Sequence, residues 1–368
     1  MKILYLTTHL NLGGISRYIL TVGSALRARG HEVFVASGGG DLEHEFRESG
    51  VQVKAFPIRT KSELSPKLYG ALPEVTHWVK KEKIDLIHAH NRVTQVLAFF
   101  IRLSTGIPFV TTVHGFYERR LGRRLLPAWG NRAIAISEPV AEELMAKHRV
   151  AASRVRVVYN GIDIEGIRRR VLQQDPRAAR REYGMPEDAV ILGIIARLIS
   201  EKGHEYLIRA LKGLDSEFPK LRLLIVGEGR ERDRLESLTK GLGLNGSVRF
   251  TGNLKDISKP LAVTDIFVHP ATWREAFGLS VVEAMVCEKP VVVTNTWALS
   301  SLIKERVNGI IVEPRDEQSL REAIRLLVKN APLRKEMGKA GSKSAEERFS
   351  IERMAKELET VYEEVLKE

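Results

Sequence analysis

Ile266-Phe267-Val268-His269-Pro270 is an apolar run that predicts a strand, and Glu275-Ala276-Phe277-Gly278-Leu279-Ser280-Val281-Val282-Glu283-Ala284-Met285, soon after it, predicts a loop that turns into a helix. Gly278 lies at that junction, where a helix N-terminus offers free backbone N–H groups to an anionic phosphate. Glu275 precedes the helix and could meet a group ahead of it, whereas Glu283 lies one turn inside and could accept hydrogen bonds from hydroxyls. An ordinary amphipathic helix with one solvated glutamate is the alternative for this segment alone.

The same alternation of strand and helix patterns extends through most of the chain, and near-continuous apolar strands predict parallel sheets covered by helices on both faces. The predicted strands are Lys2 to Thr8, Glu32 to Ser37, Val51 to Ile58, Ile84 to His90, Phe109 to His114, Arg132 to Ile136, Val155 to Tyr159, Val190 to Ala196, Leu221 to Val226, Val248 to Phe250, Ile266 to His269, Val291 to Thr294 and Ile310 to Val312. We therefore expect an α/β fold with two sheet domains in tandem and a ligand cleft between them.

The domain boundary is expected where the alternation stops. From Ile164 to Glu187 the chain is charged and irregular, and it contains Arg168-Arg169-Arg170 and Pro176. The interpretation gives domains at residues 1–165 and 166–349. After Pro314 only helical patterns remain, and the last of them, Ile351 to Leu366, carries its apolar residues at helical spacing, as expected for packing positions.

Composition describes a soluble globular protein, with 43% hydrophobic and 28% charged residues among 368. The single cysteine, Cys287, excludes an internal disulfide framework, and no cysteine–histidine cluster or acidic pair suggests a metal site. No apolar run is long enough for a membrane span, so a cytoplasmic location is expected. The net charge is +12, of which residues 1–165 hold +8 (23 Lys and Arg against 15 Asp and Glu). This excess would suit nucleic acid, anionic lipid or an acidic substrate.

Ligands of parallel α/β sheets bind beyond the carboxyl ends of the strands, so loops at those ends supply the candidates. In the second domain, Arg197 and Lys202 follow the first strand and could clamp a diphosphate, although charged loop residues are often only solvated. Gly227-Glu228-Gly229 and Gly252-Asn253 follow the next two strands and could line a base-binding pocket. Neither glycine pattern is specific alone.

In the first domain, Gly13-Gly14 would let a bulky ligand approach the start of a helix, unless the pair is a plain tight turn. His114 ends an apolar strand, where it could hydrogen-bond a sugar hydroxyl or move a proton. His88 and His90 alternate along one strand and so face the same side, and His9 lies near the end of the first strand; each could be only structural.

The run from Phe116 to Trp129 interleaves arginines, among them Arg119 and Arg120, with leucines and aromatic residues. This pattern suits an interfacial helix on an anionic membrane, and a solvated helix with one buried face is the alternative.

Taken together, these residues resemble the family-4 glycosyltransferases, whose GT-B fold has two Rossmann-like domains facing each other across a cleft. The resemblance covers nearly the whole chain in order. It rests on Glu275 and Glu283 as an E-x7-E signature, Gly13-Gly14, Thr112-Val113-His114-Gly115, Ala135-Ile136-Ser137-Glu138, Val158-Tyr159-Asn160-Gly161-Ile162-Asp163, Arg197 and Lys202, Val226-Gly227-Glu228-Gly229, Lys289-Pro290-Val291-Val292 and Asn308-Gly309.

The resemblance implies a retaining, metal-independent transferase of the hexosyltransferase type, with no cofactor and a UDP- or GDP-type nucleotide sugar as donor. By matching position, Arg197 and Lys202 would hold the donor diphosphate, Glu275 and His114 the donor sugar, and Glu283 the ribose hydroxyls. Gly14 would allow close approach to the diphosphate. The other residues implied on the donor side are Gly227, Glu228, Asn253, Ala276, Phe277, Gly278 and Leu279.

The resemblance also implies that the first domain binds the acceptor and that the helix at about residues 350–368 packs back on that domain. Acceptor-side candidates are His9, His90, Arg119 and Arg120. A lipid-linked or cell-envelope glycan, of lipopolysaccharide or exopolysaccharide type, is the acceptor we expect, with peripheral contact to the inner face of the plasma membrane.

One segment departs from the family pattern. After Val293-Thr294 the family often has two glycines and a glutamate, but this chain has Asn295-Thr296-Trp297-Ala298-Leu299-Ser300-Ser301, so Trp297 puts the inherited donor specificity in question. Two other functions remain open from the residues. A nucleotide-sugar epimerase would share the fold, and a non-catalytic basic protein would bind nucleic acid or another partner, although no nucleic-acid-recognition signature is present.

Overall fold

The computed structural model describes all 368 residues and divides the chain into two units. Unit 1 comprises Met1–Ile162 together with Ile351–Glu368, and unit 2 comprises Asp163–Ser350. Each unit has its own sheet and its own buried core.

Unit 1 contains seven strands and the first six helices of the chain. The strands are β1 (Lys2–Leu6), β2 (Glu32–Ser37), β3 (Gln52–Ala55), β4 (Leu86–Ala89), β5 (Phe109–Val113), β6 (Arg132–Ala135) and β7 (Val155–Val157). The helices are α1 (Gly14–Ala28), α2 (Glu43–Glu48), α3 (Pro66–Glu82), α4 (Arg92–Thr105), α5 (Leu121–Leu125) and α6 (Glu138–Ala146). All strand pairs are parallel, in the order β3-β2-β1-β4-β5-β6-β7.

Unit 2 repeats the plan with six parallel strands in the order β10-β9-β8-β11-β12-β13. Its strands are β8 (Ile191–Ile195), β9 (Arg222–Val226), β10 (Val248–Gly252), β11 (Ile266–His269), β12 (Val291–Thr294) and β13 (Ile310–Val312). Its helices are α7 (Ile164–Leu172), α8 (Pro176–Glu182), α9 (His204–Lys212), α10 (Arg232–Gly241), α11 (Ser258–Val263), α12 (Leu279–Val286), α13 (Trp297–Leu302), α14 (Glu317–Lys329) and α15 (Ala331–Phe349).

Both faces of each sheet are covered, which explains why the strands are apolar along their whole length. In β1, Ile3 and Tyr5 belong to one buried cluster and Leu4 and Leu6 to another, because successive side chains point to opposite faces of a sheet. All thirteen predicted strands are present, and the α/β prediction is confirmed.

The segment from Ile164 to Glu187 corrects one expectation. We predicted an irregular linker, but α7 and α8 occupy most of it. Each helix begins after an aspartate that caps it. The Asp163 side chain accepts from the Gly166 N–H. The Asp175 side chain accepts from the Arg177 N–H, and Pro176 between them is the first residue of α8. The sequence analysis missed these helices because it considered only polarity, and a segment with arginines on an exposed helix face is as polar as a loop.

The last helix, α16 (Ile351–Leu366), belongs to unit 1 and packs against α1. The apolar residues predicted to pack are all buried: Met354, Leu358, Val361, Tyr362 and Val365. The Tyr362 hydroxyl lies 2.9 Å from that of Tyr5 on β1, so a polar contact joins the end of the chain to its beginning.

The arginine-rich run from Phe116 to Trp129 also differs from the expectation. Only α5, five residues long, is helical, and none of its residues is buried. Arg123 lies over the rings of Tyr117 and Trp129, at 4.4 and 4.9 Å from their centroids, and these contacts hold the segment in an irregular path. A five-residue helix has too few turns to form an amphipathic face, so the expected interfacial helix is absent.

Candidate functional site

In unit 2, the loops that follow parallel strands lie at one edge of the sheet, and an ion pair joins two of them. Lys202 ends the short turn Ser200–Lys202 after β8, and Glu275 lies in the loop after β11. The Lys202 ammonium contacts Oε1 of Glu275, and Nε2 of His269 lies 3.0 Å from the same oxygen. The family resemblance implied a role for Lys202 at the diphosphate and for Glu275 at the sugar; in the structure the two side chains bind each other.

The close approach of these two loops depends on Gly203. Its φ is +72°, and a Cβ at this position would lie 1.8 Å from the carbonyl oxygen of Pro270. Thr272 then joins the loops, since its N–H donates to the Glu201 carbonyl (2.9 Å) and its hydroxyl to the Ser200 carbonyl (3.2 Å). The ion pair is therefore held by main-chain packing.

Glu275 is mostly buried, with 15% of its side chain exposed. Burial alone would raise the pKa of this carboxyl, but the hydrogen bond and charge of His269, with the Lys202 ammonium, outweigh it and lower the pKa to about 2. Glu275 is thus a carboxylate throughout the neutral range, able to accept hydrogen bonds but not to act as a general acid.

Helix α12 begins where the sequence predicted a phosphate-binding N-terminus. Gly278 has φ +99°, and a Cβ on it would lie 2.5 Å from Cδ2 of Leu299, so both the turn and the packing require glycine. Phe277 is buried with its ring edge-on to Phe349, and Leu279 is 38% exposed at the first helical position. Ala276, between Glu275 and Phe277, is partly buried.

Glu283 lies one turn inside α12 and is partly buried. Burial raises its pKa to about 7, and only the more distant charge of Arg170 opposes the shift. No hydrogen bond or ion pair within the protein compensates this carboxylate, in contrast to Glu275. Such a group gains from any ligand that brings it hydroxyl donors.

The remaining donor-side candidates line the same edge of the sheet. Arg197 is exposed and its guanidinium makes no hydrogen bond or ion pair. Gly227 has φ +142°, and a Cβ there would lie 2.0 Å from the Ala196 carbonyl oxygen, so the loops after β8 and β9 interlock. Glu228 is half exposed and bonds Arg232 at 3.1 Å, and Asn253 is exposed.

In unit 1, Gly14 begins α1 and is exposed, with open space around the position of a Cβ. No steric reason within the unit requires glycine there. His9 is also exposed, with Nδ1 accepting from the Asn11 N–H at 3.2 Å. Arg119 and Arg120 are exposed just ahead of α5.

His114 follows β5 and is half-buried, and burial lowers its pKa to about 3. Its Nε2 lies 3.0 Å from Nδ1 of His90. We expected His90 on the acceptor side, but its side chain has no exposed surface and lies behind His114. His88 is equally buried, between Tyr362 and Thr112 (2.7 Å to each hydroxyl).

Both units match families of known enzymes. Residues 175–344 match the family described as "Glycosyl transferases group 1", and residues 12–165 match "Glycosyltransferase Family 4". The two matches leave out only the chain ends and a short joining segment.

The chain is a glycosyltransferase with the GT-B fold.

Known proteins resemble this glycosyltransferase over almost its entire length. The protein named uncharacterized glycosyltransferase MJ1607, from Methanocaldococcus jannaschii, is 28% identical over 95% of this chain and 94% of its own. A glycosyltransferase structure from Rickettsia africae has a TM-score of 0.90 at 22% identity, covering 100% and 98% of the two chains. Anabaena HepE, solved in complex with UDP-glucose, has a TM-score of 0.83 at 23% identity, covering 99% and 100%.

Sequence reasoning missed two residues of the glycosyltransferase that support its candidate site. His269 was included only as the end of a strand, yet it bonds Glu275, and its position just before Pro270 at the carboxyl end of β11 was the available signal. Arg274 precedes Glu275, and its guanidinium lies 4.9 Å from the centre of the Trp297 ring. No pattern indicated this stacking, because Arg274 lies in the loop after β11 and Trp297 begins α13.

Two further findings concern metal and membrane. The glycosyltransferase has no group of three or more His, Cys, Asp or Glu side chains arranged to hold a metal ion. None of its helices is both long and apolar enough to cross a membrane.

Proposed function

We propose that this protein is a retaining, metal-independent glycosyltransferase that moves a sugar from a UDP- or GDP-type nucleotide sugar to a lipid-linked or cell-envelope glycan. The observation that carries the proposal is the Lys202–Glu275 ion pair at the carboxyl edge of the unit 2 sheet. Glu275 lies three residues before Gly278, the residue that precedes α12. A cation, a carboxylate and free helix N–H groups are thereby offered in one place.

Charge explains how the diphosphate is bound. The Lys202 ammonium, the exposed Arg197 guanidinium and the α12 N-terminus are all positive, and a departing nucleoside diphosphate gains negative charge as the sugar leaves. These groups would supply the stabilisation that a divalent metal supplies in other transferases. We propose that the pocket for the base of the donor nucleotide is lined by Gly227, Glu228 and Asn253.

Hydroxyl recognition is assigned to the two glutamates. Glu275, fully ionised, would accept from a hydroxyl of the donor sugar, and Glu283 from the ribose hydroxyls. The HepE structure with UDP-glucose supports a nucleotide-sugar donor, because that protein has the same fold over 99% of this chain. In unit 1, Gly14 and His114 are proposed to contact the donor diphosphate and sugar.

Retention is proposed to follow from attack by the acceptor on the face of the sugar that the nucleotide leaves. Glu275 is held by Lys202 and His269, so it serves as a hydrogen-bond acceptor near the reacting carbon, with no covalent intermediate.

A screen of nucleotide sugars for thermal stabilisation tests the donor site, because a ligand that binds the folded state raises the melting temperature. We expect one nucleotide sugar to stabilise the protein selectively, and Glu283→Ala or Lys202→Ala to abolish the shift. The exposed α15 residues Glu336 and Lys339 provide matched controls, since Glu336→Ala and Lys339→Ala remove the same charges elsewhere. No shift with any nucleotide sugar or nucleoside diphosphate would contradict the proposal. Conversion of the bound donor to an epimer without acceptor would favour the epimerase instead.

The acceptor class is proposed from the surface around α5. Leu121 and Leu125 are 66% and 77% exposed, beside the exposed Arg119 and Arg120. Apolar side chains next to cations suit the headgroup region of an anionic membrane, where a lipid-linked acceptor would be found.

We predict that the protein co-sediments with vesicles containing anionic lipid but not with purely zwitterionic vesicles. Leu121→Ser combined with Leu125→Ser should reduce the bound fraction severalfold, whereas Leu103→Ser, at another exposed leucine (68%) of unit 1, should not. A purified enzyme that ignores anionic vesicles and glycosylates only soluble acceptors would refute this part of the proposal.

A further inference from the structure

A cluster of aromatic and imidazole rings lies behind His114 in unit 1. The His90 ring stacks on Tyr5 at 5.2 Å and on His88 at 4.3 Å, and its other neighbours are His114 and the ring of Tyr18 at 5.5 Å. His88, His90 and Tyr5 have no exposed surface. Burial lowers the pKa of His88, His90 and His114 far below the usual range of histidine, so these three imidazoles are neutral.

A neutral imidazole carries one N–H donor and one acceptor nitrogen, so a hydrogen bond made by one nitrogen determines the role of the other. His90 forms its bond through Nδ1, which lies 3.0 Å from Nε2 of His114. Nε2 of His90 is buried and has no hydrogen-bond partner. If the proton of His90 were on Nε2, a buried N–H group would be left unpaired; if it is on Nδ1, only an acceptor is left unpaired. Buried N–H donors without partners are the rarer of the two.

We propose that His90 is a positioning residue that carries its proton on Nδ1, donates it to Nε2 of His114, and so holds His114 as the Nδ1–H tautomer. Nδ1 is the nitrogen of His114 that this bond leaves available to a ligand. His114 therefore meets its ligand as a hydrogen-bond donor. Its one basic nitrogen is occupied, so it does not take a proton from an attacking hydroxyl.

The surrounding contacts explain why His90 cannot easily rotate to the opposite arrangement. Its ring packs against those of Tyr5 and His88, which also pack against each other at 5.0 Å, and His88 is itself held by hydrogen bonds to Thr112 and Tyr362. His88 and His90 alternate along one strand, and only His90 was expected on the acceptor side; in the structure His90 is the direct partner of His114, and His88 packs against His90.

This inference rests on the proposed function only for the ligand: a nucleotide sugar would present hydroxyl and phosphate oxygens, which accept from an Nδ1–H group. The tautomer itself does not depend on any donor.

The tautomer can be measured directly in the intact wild-type protein by long-range ¹H–¹⁵N NMR of labelled histidine side chains. Between pH 6 and 8 we expect His114 to show a protonated Nδ1 and an unprotonated Nε2, and His90 a protonated Nδ1. His114→Gln and His90→Asn spectra assign the signals. A protonated Nε2 on His114, or an imidazolium in this range, would overturn the proposal without any change to the donor site.

Substitutions at His90 test positioning. Asparagine places an amide N–H near the position of the imidazole Nδ1, so His90→Asn should keep His114 in the Nδ1–H form, whereas His90→Phe should let both tautomers appear. Tyr362→Phe is the matched control, because it removes a hydroxyl that bonds His88 and Tyr5 and is not a partner of His90 or His114. His90→Phe with an unchanged His114 spectrum would overturn the inference.

Turnover gives a second readout once the thermal screen has identified a donor. His90→Phe should lower kcat by about tenfold, as expected for a lost hydrogen bond, with His90→Asn restoring part of it. Combined with His114→Phe it should cause no additional loss, because both changes remove the same contact. Additive losses would assign His90 a purely structural role. If no nucleotide sugar binds at all, the proposed function fails while the NMR result still decides the tautomer.

Discussion

Two glutamates from one short segment of unit 2 differ in charge state because their neighbours differ. Glu275 is buried beside Lys202 and His269, which hold its pKa at about 2, and Glu283 is buried without such a partner, so its pKa rises to about 7. At neutral pH the first is therefore ionised, whereas the second exchanges between its protonated and ionised forms. The site therefore contains one carboxylate that the protein itself pairs and one that a ligand could pair.

The raised pKa of Glu283 predicts a pH dependence of donor binding. Only the ionised carboxylate can accept from both ribose hydroxyls, so affinity should rise about tenfold from pH 6 to pH 8 and level off above. Titration calorimetry with the nucleotide sugar from the thermal screen measures it. Glu283→Gln should bind more weakly and without this slope. A flat wild-type profile would show that Glu283 does not contact the ligand as a carboxylate.

The Lys202–Glu275 pair should contribute to stability as well as to binding. Lys202→Met leaves a mostly buried carboxylate without its cation but with its His269 hydrogen bond, so we expect a loss of about 1–3 kcal/mol in the free energy of unfolding at pH 7. The double variant with Glu275→Gln should lose less than the sum of the single variants. Denaturant unfolding provides the values.

The sign of the pH dependence follows from the lowered pKa of Glu275. Its stabilisation is present above the unfolded value near 4.5 and is lost as pH falls toward 2, so the defect of Lys202→Met should shrink on acidification. Lys220→Met breaks an exposed pair with Asp188 and should change nothing measurable. Equal defects in the two variants would contradict the assignment of a buried pair.

At the scale of elements, loops after parallel strands carry the candidate site, and glycines decide how close those loops come. Gly203 packs against the Pro270 carbonyl in a left-handed conformation, whereas Gly14 at the start of α1 has open space around it. Gly203, just before α9, is therefore required by the packing of the protein, whereas Gly14, the first residue of α1, is not.

This contrast predicts opposite effects of the same substitution. Gly203→Ala should lower stability by at least about 1–2 kcal/mol, because the left-handed conformation disfavours a Cβ and the carbonyl oxygen lies in its place. Gly14→Ala should leave the melting temperature unchanged or slightly higher, since alanine favours the helix, but should weaken nucleotide-sugar binding. Melting curves and donor titrations on both variants decide the matter. Unchanged donor affinity in Gly14→Ala would remove Gly14 from the binding site.

At the scale of the whole molecule, the chain crosses between units twice, and α16 returns to complete the core of unit 1. Leu358 of α16 and Leu207 of α9 are both fully buried leucines, one in each core. Local unfolding energies follow the contacts within a unit.

We predict that Leu358→Ala destabilises unit 1 by about 2–5 kcal/mol and that Leu207→Ala does the same to unit 2. Hydrogen exchange should show lost protection in β1, β4 and β5 for Leu358→Ala, and in β8 and β9 for Leu207→Ala. Loss of protection in unit 2 strands alone after Leu358→Ala would contradict the division of the chain at α16.

Much of the fold could be predicted from the sequence, because its signals are local. Apolar runs of strand length with helical patterns between them located all thirteen strands, and Gly278 between a strand and an apolar run located the start of α12. The apolar spacing in Ile351 to Leu366 identified the buried face of α16 before its partner was known. The sequence interpretation was wrong in two places. It predicted an irregular segment where the arginine-rich helices α7 and α8 lie. Around α5 it predicted a longer helix, where contacts between arginine and aromatic side chains hold an irregular path instead.

The sequence by itself determined the residue types at the strand ends, and hence which side chains could do chemistry: Arg197, Lys202, Glu275, Glu283 and His114. Only the tertiary structure decided their states. Lys202 and Glu275 are 73 positions apart and His90 and His114 are 24 apart, and parallel strand order brings each pair within hydrogen-bonding distance. The charge of a side chain depends on its burial and on its partners in space, which a sequence does not show. The assembled strands therefore decide that Glu275 is ionised, that burial raises the pKa of Glu283 to about 7, and that His90 lies behind His114.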